Sequence, residues 1–194
     1  METCECIHRA AWKRFERDGL DGVSIRSVAA DVGITPMAVY RHYADKEALI
    51  NALTADSLEE WCTRVAAIRT PEPMRWLENL LTAFLDFALE KPRRFEAAFV
   101  LRARNARRYP DDFLAGRSEP VNMILARVQE AQKAGILDDT PATEVAVTLW
   151  ALGQGLVSLY RAGRFAGDRK DFRAIYSAIV RHSLSSFTVR EPKR

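Results

Sequence analysis

Cysteine and histidine are scarce, with three of each in 194 residues. Cys4, Cys6 and Cys62 are too few and too unevenly placed for a disulfide framework, which suits a reducing compartment. His8, His42 and His182 fall in three separate segments with no Ser or Cys nucleophile motif beside them, and there is no phosphate loop and no HExxH. No catalytic residue and no cofactor is therefore expected. Cys4-x-Cys6-x-His8 is the one metal-like spacing; on a helix Cys4 and His8 share a face while Cys6 points away, so no metal site is expected either. No apolar run reaches the roughly 18 residues of a membrane span. The N-terminus has no apolar signal core, and the expectation is a cytoplasmic chain with no membrane partner. Alternation with period two is almost absent, which argues against strands.

What is present is ordinary globular composition, 48% hydrophobic and 28% charged, with a net charge of +3 that does not announce nucleic-acid binding. Glycine and proline divide the chain into helical segments. Cys4, Ile7, Ala11 and Phe15 recur at helical spacing, and Gly19 is a natural stop. Ser24 caps a short helix ended by Gly33, and Thr35 caps the next, with Pro36 at its first position. A long helix follows Asp45 and breaks at TPEP, residues 70–73. Leu77, Leu80, Leu81, Phe84, Leu85 and Ala88 then follow the i, i+3, i+4, i+7 pattern. A helix after Pro92 carries Phe95 and Phe99, residues 109–120 read as a loop or a broken turn, and helices are expected over about 119–134, 142–162 and 171–188. The fold class is all-α, with a three-helix head over 1–46 and a larger helical body over 47–194.

The unit from Ser24 to His42 has helix-turn-helix dimensions. Ile25, Val28, Val32, Ile34 and Val39 supply its core, and Ala29 and Ala30 are small where helices cross. Tyr40, Arg41, His42 and Tyr43 cannot all face inward, because successive helical residues point about 100° apart. Their tips, with Lys46 at the start of the next helix, suit phosphate oxygens. Residues 1–50 nevertheless hold seven Lys/Arg against eight Asp/Glu, a formal balance of −1, so charge must be sorted by face.

The stretch AAWKRFERDGLDGVSIRSVAADVGITPMAVYRHYADKEALINAL resembles the N-terminal domain of the tetracycline-repressor family of bacterial regulators. The resemblance rests on the Ala-x3-Phe and Gly of the first helix, Ser-Ile-Arg, Val-Ala-x3-Gly-Ile-Thr, and Val-Tyr-Arg-His-Tyr-x-x-Lys-x-x-Leu. It implies base contacts in the major groove from Arg26, Pro36, Met37 and Tyr40. It implies phosphate contacts from Ser24, Thr35, His42 and Lys46, with Arg41 and Tyr43 as additions. Pro36 and Met37 offer apolar contact to a thymine methyl, and Arg26 suits a guanine edge.

Further along, KPRRFEAAF and LWALGQGLVSLYRAG resemble the C-terminal domain of a subgroup with a Trp-x3-His-Gly signature. Trp150 and Gly155 match, but Gln154 stands where that subgroup has histidine. The family pairs its last two helices with those of a second copy, which here implies a homodimer through Leu149, Leu152, Leu156, Tyr160, Ile175 and Ile179. It also surrounds an apolar ligand cavity, for which Trp61, Phe84, Phe87, Phe99, Met123 and Gln154 are the expected lining. The arginines at 102, 104, 107 and 108 read as a solvated face. The implied function is a transcriptional repressor released from a palindromic double-stranded DNA operator by a small apolar effector. The alternative is a dimeric DNA-binding protein with no small-molecule ligand, its body serving dimerisation or a protein partner.

Overall fold

A computed structural model describes residues 2–102 and 107–189. Among these residues the fold is helical, with a single isolated antiparallel bridge between Leu137 and Thr188. The chain packs into two compact units, Met1–Trp61 with Lys91–Ala106, and Cys62–Glu90 with Arg107–Arg194. This division differs from a boundary after residue 46, because the long fourth helix is shared and a later helix returns to the first unit.

In the first unit, α1 (Thr3–Asp18) buries Ile7, Ala11, Trp12 and Phe15, the stripe its sequence spacing predicts. Each fully buried Ile or Phe stabilises by roughly 1.5–3 kcal/mol. Gly19 ends α1 at φ 70 and opens a 3-10 turn, Gly19–Gly22. Next come α2 (Ile25–Val32), α3 (Pro36–Tyr40) and α4 (Lys46–Ala66), the last belonging here as far as Trp61. Ile25, Val28, Ala29, Val39, Leu49, Ile50 and Leu53 join the α1 stripe in one core, with Val32 and Ile34 packed against it. The sixth helix, α6 (Pro92–Phe99), also packs here: the Arg94 guanidinium lies 3.6 Å from the centre of the Trp12 ring, and Phe99 meets Trp61 edge-on at 5.8 Å.

The second unit contains α5 (Pro73–Glu90), a single turn α7 (Asp111–Leu114), α8 (Glu119–Lys133), α9 (Ala142–Arg161) and α10 (Arg169–Ser185). The turn α7 lies inside the stretch expected to be a loop or a broken turn. Its Asp112 accepts from the Arg108 backbone N–H at 2.8 Å and from Arg117 at 2.9 Å, so local side chains hold it. All six periodic residues of α5 are buried, as are Leu149, Leu156 and Val157 of α9 and Phe172, Tyr176 and Val180 of α10, and α5 packs against both helices. The buried Tyr176 hydroxyl donates to the Leu81 carbonyl at 2.9 Å. Gly153 makes room for it: a Cβ there would lie 3.1 Å from that hydroxyl and 3.2 Å from Phe84.

In contrast to the expectation from apolar runs, the α9 helix is long and apolar enough, by length and composition, to cross a membrane, because its scattered polar residues are uncharged for most of its length. Only 33% of that apolar stretch is buried within the chain.

Candidate nucleic-acid interface

The helix-turn-helix is built by local chemistry. The Ser24 hydroxyl accepts from the Ser27 backbone N–H at 3.0 Å, and the Ser27 hydroxyl accepts from the Ser24 backbone N–H at 3.0 Å, a reciprocal cap with serine in the place usually held by Glu or Gln. Gly33 closes α2 at φ 75, ψ 31, and the next amide, Ile34 N–H, donates to the Ala29 carbonyl at 3.0 Å. A Cβ at Gly33 would touch nothing within 4 Å, so its requirement for glycine is the left-handed backbone alone. Thr35 Oγ1 then accepts from the Ala38 N–H at 3.2 Å, and Pro36 occupies the first position of α3.

This geometry turns α3 so that Val39 is wholly buried while Pro36, Met37 and Tyr40 face solvent. Met37 is 67% exposed and Tyr40 47%, unusual for large apolar and aromatic side chains on so short a helix. Arg26, Thr35, Arg41, His42 and Lys46 are exposed as well. The Lys46 ammonium donates to the Leu20 carbonyl at 3.2 Å, which uses one of its three protons and leaves two for an anion. Thr35 accepts at its cap and keeps its hydroxyl proton. Ser24 differs, since its hydroxyl already donates to the Ser27 hydroxyl at 2.9 Å.

Tyr43 is placed apart from the others. It is half-buried against the core of the unit, and its hydroxyl lies 3.7 Å from Cys4 Sγ. Burial, first of all, pushes its phenol well above the ordinary tyrosine range. Its position suits holding the end of α3 against α1 rather than reaching outward to phosphate.

The acids in the same unit are sorted by pairing. Arg14 grips Asp31 with two hydrogen bonds of 2.6 Å, joining α1 to α2, and its hydrogen bonding holds the Asp31 carboxyl below the usual range. Arg17 grips Asp18 likewise, at 2.7–3.0 Å, and lowers its carboxyl in the same way. Asp45 caps α4 by accepting from the Ala48 N–H at 2.7 Å. Three of the eight acids behind the −1 balance are thus engaged within the fold.

The remaining expected residues are dispersed. Cys4, Cys6 and His8 take separate neighbours, Tyr43, Arg9 and Asp56, and no cluster of three metal-ligating residues occurs among the described residues. Of the six expected pocket residues, Trp61 and Phe99 pair with each other in the first unit, while Phe84, Phe87, Met123 and Gln154 belong to the second. Phe84 and Phe87 are core residues, 5% and 0% exposed. The second unit does carry a groove of ≈ 410 Å³, and of the six only Met123 lines it. Among the expected interface residues, Leu149 and Leu156 point into their own unit's core, whereas Ile175 is 39% exposed and Leu152, Tyr160 and Ile179 are half-buried. Arg102, Arg107 and Arg108 are exposed, and Arg104 lies outside the described residues.

Comparison with known proteins agrees with this arrangement. Residues 7–53 match the N-terminal domain of the bacterial regulatory proteins of the tetR family, and residues 77–183 match the tetracyclin repressor-like C-terminal domain. No curated protein matches the chain in sequence. Among solved structures, a Rhodococcus sp. RHA1 protein of unknown function is similar with a TM-score of 0.79 and 21% identity, over 97% of each chain. A putative tetR family transcription regulator from Shewanella sp. PV-4 is similar with a TM-score of 0.71 and 16% identity, over 98% of this chain and 100% of that one. A third, described as a molecular basis for control of antibiotic production by bacterial hormones, has a TM-score of 0.67 and 23% identity over 96% and 98%. With both domains matched, the chain belongs to the tetR family of DNA-binding transcriptional regulators.

Proposed function

We propose that this regulator is a homodimeric repressor that binds an inverted-repeat operator and is released by a small effector with an apolar body. The observation that carries the reading is the outward face of α3. Met37 and Tyr40 stand exposed beside Arg26, with Thr35, Arg41, His42 and Lys46 around them as hydrogen-bond donors. That is apolar contact and base-edge recognition inside a ring of phosphate ligands.

Two copies are needed to read an inverted repeat, with recognition helices about one DNA turn, roughly 34 Å, apart. The surface of the last two helices supports this. On α9 the exposed residues Thr148, Ala151, Gly155 and Leu159 form one stripe; on α10 Ala174, Ile175 and Ala178 form another. Small residues let a second pair of helices approach closely, and the largely unburied apolar length of α9 gains from being covered. Gly155 would meet nothing within 4 Å in its own chain, in contrast to Gly153. The interface would then use Ile175, with Leu152, Tyr160 and Ile179 at its edges. Trp150 and Gly155 are what remain of the Trp-x3-His-Gly subgroup signature, with Gln154 in the histidine place.

Release follows from population shift. An effector that binds better when the heads stand at another spacing lowers operator affinity by its differential affinity and no more. Sedimentation of the purified chain at micromolar concentration tests the assembly. Twice the 22.0 kDa chain mass is expected, and a monomer would overturn the two-fold reading.

A further inference from the structure

The groove of the second unit runs between the end of α4, the start of α5 and α8. Its accessible apolar members are Ile68, Met123 and Ala126, with Val65 and Trp76 buried beneath them. Its volume, ≈ 410 Å³, is of the size that holds a small organic molecule. Its charged members are Arg69, Arg127 and Glu130. The Arg127 guanidinium lies 5.5 Å from the centre of the Trp76 ring and donates to Glu130 at 2.8 Å. Arg69 is exposed and makes no ion pair among the described residues. Two guanidiniums and one carboxylate therefore line a groove of mixed polar and apolar character.

A purely apolar occupant would take water from the Arg127–Glu130 pair and supply nothing in return. An anionic head with an apolar body satisfies both parts of the groove. Guanidinium forks match carboxylates in geometry as well as charge. We propose that this groove binds an amphipathic organic carboxylate, its head on Arg69 and Arg127 and its body along Ile68 and Met123. The proposal rests on the effector reading above and names the class of effector. It also moves the site from the six residues expected in the sequence to this groove.

The test is calorimetric titration of the full-length protein with decanoate and, separately, with methyl decanoate. Saturable binding of the acid is expected, with the ester weaker by about 10-fold or more, the range for a lost hydrogen bond to a charged group. Arg69→Gln removes an exposed guanidinium and should weaken the acid by about the same factor while leaving the ester unchanged. Arg127→Lys, which keeps the charge but loses the fork, should weaken the acid less than Arg127→Gln. Circular dichroism melts identify any variant that fails to fold. An ester that binds as well as the acid, or an acid indifferent to Arg69→Gln, overturns the carboxylate assignment and leaves an apolar effector standing. No binding of either probe overturns the site. Acid binding that leaves operator affinity unaltered supports the site and sinks its role in release.

Discussion

Tyr40 and Lys46 are both exposed near α3, yet they should fail differently when removed. Tyr40 projects from the helix with nothing of its own unit holding its tip, so a base edge is its natural contact. Tyr40→Ala is expected to weaken operator binding by about 1–3 kcal/mol with dimer mass unchanged. Fluorescence anisotropy on labelled operator reads this, and unaltered affinity removes Tyr40 from the readers. Lys46 is anchored by the Leu20 carbonyl with two protons left over, a phosphate geometry without sequence information. Lys46→Ala should lower affinity for all duplexes alike and flatten the slope of log K against log salt by about one unit. A changed sequence preference would contradict the phosphate role. Ser24 and Thr35 carry the same family assignment, yet only Thr35 keeps an uncommitted hydroxyl proton, a difference their shared cap chemistry concealed in the sequence.

The α2–turn–α3 element was legible because everything that makes it is local. Ser24, Gly33, Thr35 and Pro36 each act within three or four residues of themselves, so their spacing alone announced two short helices and the turn. Gly33→Ala should destabilise the protein by roughly 1–2 kcal/mol, since the cost is a left-handed backbone and not a clash. Urea unfolding checks this, and an unchanged midpoint would mean the turn can adopt another shape. The α7 turn was legible only as one of two alternatives, because Asp112 bonding across to Arg108 and Arg117, and no periodic stripe, holds it. The membership of α6 in the first unit was not legible, since it depends on Arg94 stacking on Trp12, residues far apart in sequence. An aromatic stripe says that a helix buries a face, not whether that face meets core or ligand. Phe84 and Phe87 are buried, and of the six expected residues only Met123 lines the groove.

Across the whole molecule, the argument for two copies rests on surface that one chain leaves uncovered. Ala178 lies on the exposed side of α10, in the stripe with Ala174 and Ile175. Ala178→Arg places a charge on a face with no assigned partner inside the chain, so the fold should persist while association fails. The expected result is a folded monomer by sedimentation, with operator affinity lost to the level of a single half-site. A dimer of undiminished stability would move the interface elsewhere. Net charge says little about where charge lies here: Arg14–Asp31 and Arg17–Asp18 cancel pairwise, while Arg26, Arg41 and Lys46 are exposed around α3.

The most direct test of a dimeric reader is selection of bound duplexes from a random DNA pool at moderate salt, using the purified protein alone. The account predicts an enriched inverted repeat whose half-sites lie about one helical turn apart, centre to centre. A pool without enrichment, or a lone half-site with no symmetric partner, would contradict it.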